Sequence, residues 1–161
     1  MPRVPPAPAN PAQMPTALAR SSAGNTLVIV DSVPGMIIPA LIGIARNKGI
    51  SAYPGEGANR WPAVHRLDAA RLFRLALESA PAGTRLHAVA EEGVPVREIA
   101  EVIGRHLGLP VTGLSPEEAD GHFDWIARFF AVDNPTSSDW TRAEFRWEPA
   151  GPALMEDLDA G

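Results

Sequence analysis

Short apolar runs alternate along this chain with longer stretches in which apolar residues recur every three or four positions. That alternation predicts short strands joined by amphipathic helices. Thr26–Val30 is an apolar, β-branched run and predicts a buried strand. Met36–Lys48 carries Ile37, Leu41, Ile42 and Ile44 and predicts a helix, with Gly49 placed to end it in a left-handed conformation. Ile50–Tyr53 predicts another strand, and Pro54-Gly55-Glu56-Gly57 a turn. Ala63–Arg66 predicts the next strand. Asp68 then stands where it could cap a helix whose apolar face is Ala69, Leu72, Phe73, Ala76 and Ala80, with Arg71, Arg74 and Glu78 opposite.

Beyond Gly83, Leu86–Ala90 predicts a strand and Glu91-Glu92-Gly93 a turn. Pro95–Leu107 carries the clearest helical stripe, Val96, Ile99, Val102, Ile103 and Leu107, and is followed by Gly108 and Pro110. Val111–Leu114 predicts a strand. Ser115-Pro116-Glu117-Glu118 is a capping box with proline at the first helical position. The helix it starts is expected to reach about Ala131, burying Ala119, Phe123, Ile126, Phe129 and Phe130, before Asp133-Asn134-Pro135 stops it. A short helix at Asp139–Phe145 and the start of another at Leu154–Asp159 complete the pattern. Alternating strands and helices place the chain in the α/β class, with a small parallel or mixed sheet.

Composition changes the picture at one end. Pro2, Pro5, Pro6, Pro8, Pro11 and Pro15 crowd the first residues, which have little else to bury. Residues 1–25 are therefore expected to be a disordered, proline-rich extension, and residues 26–161 a single α/β lobe. A chain of 161 residues is long enough to bury a core of its own. The net charge of −5, without a basic cluster, argues against a nucleic-acid partner. The absence of cysteine excludes disulfides and thiolate metal sites. No apolar run is long enough for a membrane span, and no signal-peptide core is present, so the expectation is a cytoplasmic chain without a membrane partner.

Candidate chemistry is sparse. Gly55-x-Gly57 lacks the third glycine and the helix start that a dinucleotide loop needs, since Arg60 stands at that place and a strand follows. His65, His87, His106 and His122 form no ligand pair on one element, so no metal site is expected. Glu91-Glu92 and Glu117-Glu118 read as solvated or dipole-complementing carboxylates. Arg60 offers a planar fork that recognises phosphate or carboxylate, or else a surface ion pair. Trp61 could stack on a ligand or serve as core.

The wording around Arg60 is more specific. Arg60, then Val64-His65, then Asp68-Ala69-Ala70 resembles the Arg…Val-His-x-x-Asp-x-Ala segment of extended and atypical short-chain dehydrogenases/reductases, the NAD-dependent epimerase/dehydratase family. Further segments follow in the family's order. Gly35–Ser51 is similar to its helix into the substrate lobe, and Gly55-x-Gly57 to the turn before a substrate-contacting arginine. His87–Gly93 with Arg97-Glu98-Ile99 resembles its late strand and helix. Phe145-Arg146-Trp147-Glu148-Pro149 resembles Leu-Gly-Trp-x-Pro, with Arg146 replacing the glycine. The resemblance spans roughly Gly35–Asp159.

It implies a fragment of a Rossmann-type short-chain dehydrogenase, the last strands plus the substrate lobe. Substrate contacts would fall at Asn59, Arg60, Trp61 and His65. NAD or NADP would serve intact relatives, and this chain alone would bind neither. The family's catalytic Tyr-x-x-x-Lys pair is absent, because the residue four after Tyr53, the one tyrosine, is Gly57. No catalytic residue is therefore expected here. The resemblance implies a small-molecule substrate and leaves the oligomeric state open. Two alternatives stand beside it: a non-enzymatic binding or interaction domain, and a truncated or frame-shifted gene product.

Overall fold

The computed structural model describes residues 17–20, 27–30 and 34–160. In chain order the first elements are β1 (Ala17–Arg20), β2 (Leu27–Val30), α1 (Pro34–Lys48), β3 (Ser51–Pro54) and β4 (Arg60–Ala63). They are followed by α2 (Arg66–Ser79), β5 (Arg85–Leu86), β6 (Glu91–Pro95), α3 (Val96–Leu107) and β7 (Val111–Leu114). The remainder is helical: α4 (Pro116–Phe123), a single 3-10 turn at Asp124–Ile126, α5 (Ala127–Phe130), α6 (Asp139–Phe145) and α7 (Leu154–Ala160).

Among the described residues the strands form three small sheets. In the first, β1 pairs antiparallel with β2, and β2 parallel with β5. In the second, β3 and β7 run parallel, from Ser51 opposite Val111 to Pro54 opposite Leu114. In the third, β4 and β6 are antiparallel, with Arg60 opposite Pro95 and Trp61 opposite Val94. The fold is thus mixed α/β, as the alternating pattern predicts.

The strongest local signals agree with the structure. Gly49 and Gly108 both adopt positive φ, 72° and 64°, and end α1 and α3. Val96, Ile99, Val102 and Ile103 are buried along α3. The capping box at α4 is closed in both directions, Ser115 N to Glu118 Oε2 at 2.8 Å and Glu118 N to Ser115 Oγ at 3.3 Å. Arg146 is left-handed at φ 47°, a conformation that costs a non-glycine residue about 1 kcal/mol.

Apart from the start of α2, three expectations are corrected. Glu91-Glu92-Gly93 is not a turn but the body of β6, because the backbone of β4 pairs with it whatever its side chains prefer. Of Leu86–Ala90, strand geometry is confined to Arg85–Leu86. The helix from Ser115 does not run unbroken to Ala131: Asp124 at φ 52° interrupts it. The break lets Phe123 and Phe130, both buried, meet edge to face at 5.0 Å. Ala17–Arg20, at the end of the expected extension, pairs with Leu27–Val30. The rest of residues 1–25 lies outside the described residues.

Two apolar clusters hold the molecule. The larger gathers Ile37 and Leu41 of α1, Ala63 of β4, Val94 of β6 and Val96, Ile99 and Ile103 of α3 with Phe123, Ile126 and Phe130. The smaller places Leu72 and Ala76 of α2 against Leu86, Ala88 and Trp147.

The start of α2 differs most from its sequence reading. The strand before it is Arg60–Ala63, not Ala63–Arg66. The cap of the helix is His65, whose Nδ1 accepts from the Leu67 N–H at 3.4 Å. Asp68 lies inside the first turn and is only 2% exposed. Its carboxylate accepts from the backbone N–H groups of Ala150 (3.1 Å) and Gly151 (2.8 Å) and from the Arg71 guanidinium. Its backbone oxygen accepts from the Trp147 indole at 3.0 Å. Burial pushes the Asp68 carboxyl up. The two N–H groups and Arg71 together outweigh that and hold it below the usual carboxylate range.

Gly151 seats that C-terminal stretch against the cap. A Cβ on it would lie 2.6 Å from both Cβ and Cγ of His65, closer than atoms approach. Gly151→Ala is expected to cost about 1–3 kcal/mol through overpacking. His65→Ala combined with it should cost less than the two changes summed. Urea denaturation of the three variants checks this; additive losses would place the strain elsewhere.

Candidate functional site

Asn59, Arg60 and Trp61 lie together at the start of β4, as the sequence predicts, but they serve different surroundings. Successive residues of a strand point to opposite faces. Arg60 turns to the segment after α5, and Trp61 to the larger core.

Arg60 forms a planar fork with Asp133, Nε to Oδ1 at 3.1 Å and Nη2 to Oδ2 at 3.0 Å. Asp133 Oδ1 also accepts from the Arg60 backbone N–H at 2.8 Å, and the Asn134 N–H donates back to the Arg60 carbonyl at 2.8 Å. The Arg60 hydrogen bonds hold the Asp133 carboxyl below its usual range, and the carboxylate raises the guanidinium above its own. Both side chains are 48% exposed, so the pair is a solvated one. In the sequence Asp133 reads only as part of a helix stop. Nothing local reveals it as the partner of a residue seventy-three positions earlier.

Asn59 closes the end of α5: its Nδ2 donates to the carbonyls of Phe130 (2.6 Å) and Val132 (3.4 Å). Its own carbonyl accepts from the Val96 N–H at 3.0 Å. His65 caps α2 and packs on Gly151. Three of the four expected site residues therefore have bonds inside the fold.

Trp61 differs. Its indole N–H is closed to solvent and, among the described residues, it is the buried side-chain polar atom that lacks a partner. The ring lines a narrow, partly open cleft of about 20 Å³, the space of about one water, with Ile37, Ile38, Pro62, Ile99, Phe130 and Leu154. A larger groove of about 350 Å³ lies between α1, α3 and α7, with Arg46, His106 and Asp157 at its rim. None of the four expected residues lines it.

The other histidines lie apart. His87 Nδ1 is 3.0 Å from the Ser137 carbonyl, and His106 Nε2 is 3.0 Å from Asp159. His122 is 9% exposed on α4; burial, and then the charge of Lys48, hold it below the usual histidine range. No helix among the described residues is long and apolar enough to cross a membrane.

No protein-family model matches the chain. An uncharacterized protein of Schizosaccharomyces pombe is 55% identical over 121 residues, which cover 75% of this chain and 41% of that protein. One from Saccharomyces cerevisiae is 45% identical over 123 residues, covering 76% and 41%. The chain therefore spans about two fifths of the length of the curated relatives it matches.

Among solved structures, a dTDP-glucose 4,6-dehydratase from Streptomyces venezuelae with NAD bound superimposes with a TM-score of 0.56 at 19% identity, over 83% of this chain and 39% of that one. The dTDP-glucose 4,6-dehydratase from Bacillus anthracis, in complex with NAD, gives 0.57 at 17% identity over 83% and 42%. ADP-L-glycero-D-manno-heptose-6-epimerase from Helicobacter pylori gives 0.55 at 15% identity over 85% and 42%. At such identities the likeness speaks for the fold alone: the fold of this chain matches about two fifths of each of these proteins.

Proposed function

We propose that residues 26–161 form the substrate-binding part of a short-chain-dehydrogenase-type oxidoreductase or epimerase, and that this stretch alone transfers no hydride. The observation that carries the proposal is the match of 83% of the chain to about two fifths of two NAD-dependent dehydratases. The missing Tyr-x-x-x-Lys pair and glycine loop support the second half of it. The partner would be a small molecule held along β4, at Asn59, Arg60, Trp61 and His65. NAD or NADP would bind outside this stretch.

A second reading, a binding domain without catalysis, is favoured by one specific observation: Asn59, Arg60 and His65 are all engaged in bonds within the fold.

Calorimetric titration of the 161-residue chain with NAD, NADP and dTDP-glucose, paired with an NAD(P)H turnover assay on sugar-nucleotide and hydroxysteroid substrates, tests both. The expected result is no turnover and no saturable NAD(P) binding. Turnover that survives Tyr53→Phe would overturn the proposal. Binding of a candidate substrate without turnover, by a chain that remains inactive when joined to a cofactor-binding half, would select the second reading.

A further inference from the structure

α1 and α7 each pack on α3, and the groove of about 350 Å³ is the gap they leave between them. Its floor is the stripe of α3, with Val102 and Ile103 buried and Leu107 beside them. Ile42 of α1 closes one side. Leu158, one turn after Leu154 on the same face of α7, closes the other. The volume falls within the range of about 300–1,000 Å³ usual for small-molecule sites, which are mostly apolar with a few polar groups that fix orientation.

Three polar side chains rim this floor, and they are not equivalent. His106 is already engaged: its Nε2 lies 3.0 Å from Asp159 Oδ1, an oxygen that also accepts from the Arg105 guanidinium. Arg46 and Asp157 come from the two walls, α1 and α7. Among the described residues neither forms an ion pair, with the other or with any neighbour. One cation and one anion, unpaired with each other, thus stand over a single apolar floor.

We propose that this groove binds a small zwitterion with an apolar tail, an apolar α-amino acid. Its side chain lies on Val102, Ile103 and Leu107, its carboxylate on the Arg46 fork and its ammonium on Asp157. The two rim charges select the class. A fatty acid would bring its carboxylate beside Asp157, and an apolar amine its ammonium beside Arg46; each like-charge approach is costly. A zwitterion meets both rim charges with the opposite sign. Asn59, Arg60, Trp61 and His65 do not line this groove, so the proposal goes beyond the substrate-lobe reading and does not depend on it.

The test follows the amide signals of the ¹⁵N-labelled chain on addition of L-leucine. Saturable shifts are expected at Val102, Ile103 and Leu107. 4-Methylpentanoate, which is leucine without the amino group, and 3-methylbutylamine, leucine without the carboxylate, should each bind about five- to tenfold more weakly, the worth of one hydrogen bond. Glycine, which has no tail, should be weaker still. Arg46→Gln should erase the preference for leucine over 3-methylbutylamine, and Asp157→Asn that over 4-methylpentanoate, each leaving the other preference in place. Both side chains are exposed, so neither change threatens the fold, and the wild-type series needs no variant.

Leucine leaving the three signals unmoved would overturn the proposal. So would glycine or either half-molecule binding as tightly as leucine, or both preferences surviving in both variants. Shifts confined to β4 would place leucine in the other site and overturn it as well. A failure of dTDP-glucose to bind touches only the substrate-lobe reading.

Discussion

Asp68→Ala is expected to destabilise the protein by about 3–5 kcal/mol, as removal of one partner from a buried charged network does. That is a large share of the 5–15 kcal/mol that typically separates folded from unfolded states. The size follows from what remains. The N–H groups of Ala150 and Gly151 lose their acceptor, and the Arg71 guanidinium loses its partner and keeps only the Glu148 carbonyl at 2.9 Å. Asp68→Asn should cost less, because its amide oxygen can still take one of the two N–H groups, but its NH₂ would face a donor.

The acid behaviour has a definite sign. The folded-state carboxyl lies below the ordinary value near 3.9, so its contribution is complete above that pH and is lost as pH falls through the lower folded value. The stability gap between wild type and Asp68→Asn should therefore be constant from about pH 5 to 7 and shrink below about pH 4. Urea denaturation across that range measures it. A gap that does not change with pH would mean the charge is not what holds Ala150 and Gly151.

Trp147→Ala should be equally severe, at about 3–5 kcal/mol, the usual loss for a buried large aromatic. Trp147 is the largest of the fully buried side chains and fills the space between Leu72, Ala76, Leu86 and Ala88. Trp147→Phe keeps much of that packing but drops the indole bond to the Asp68 carbonyl, so about 1–2 kcal/mol is expected. Asp68→Ala and Trp147→Ala loosen the same stretch, residues 147–151, from the same helix. Their double variant should lose less than the sum. A Trp147→Ala variant within about 1 kcal/mol of wild type would show that this stretch is not docked on α2 in solution.

What the sequence made legible was what neighbours along the chain decide. The stripe on α3, the glycine stops at Gly49 and Gly108, and the Ser115–Glu118 box each depend on residues within one or two turns, and each is found where the spacing places it. What it hid depends on distant partners. Glu91–Pro95 has poor strand composition and becomes one because Arg60–Ala63 supplies its hydrogen bonds. Asp68 has the composition of a cap, but its acceptor sites are filled from some eighty residues away, and histidine, an uncommon cap, takes the role three residues earlier.

The site shows the same division. The placing of Asn59, Arg60 and Trp61 on one strand was visible. The engagement of Arg60 by Asp133 and of Asn59 by the end of α5 was not, since both partners come from beyond α2, α3 and α4. The unpaired indole is a property of packing, for which a sequence carries no sign.

The parallel pairing of β3 with β7 has a consequence for how the chain reaches this state. Ser51 meets Val111 across about sixty intervening positions, and β4 meets β6 across about thirty. No tight hairpin joins either pair, so neither sheet can form while the intervening helices are still searching. Closing loops of that length loses chain entropy before any strand contact returns it. α3, with its strong stripe and defined end, can form early. The sheets must wait for α2 and α3 to bring their edges together. Such topology favours slow folding, in milliseconds or longer rather than microseconds, with the unpaired edges of β3 and β4 open to other chains in the meantime.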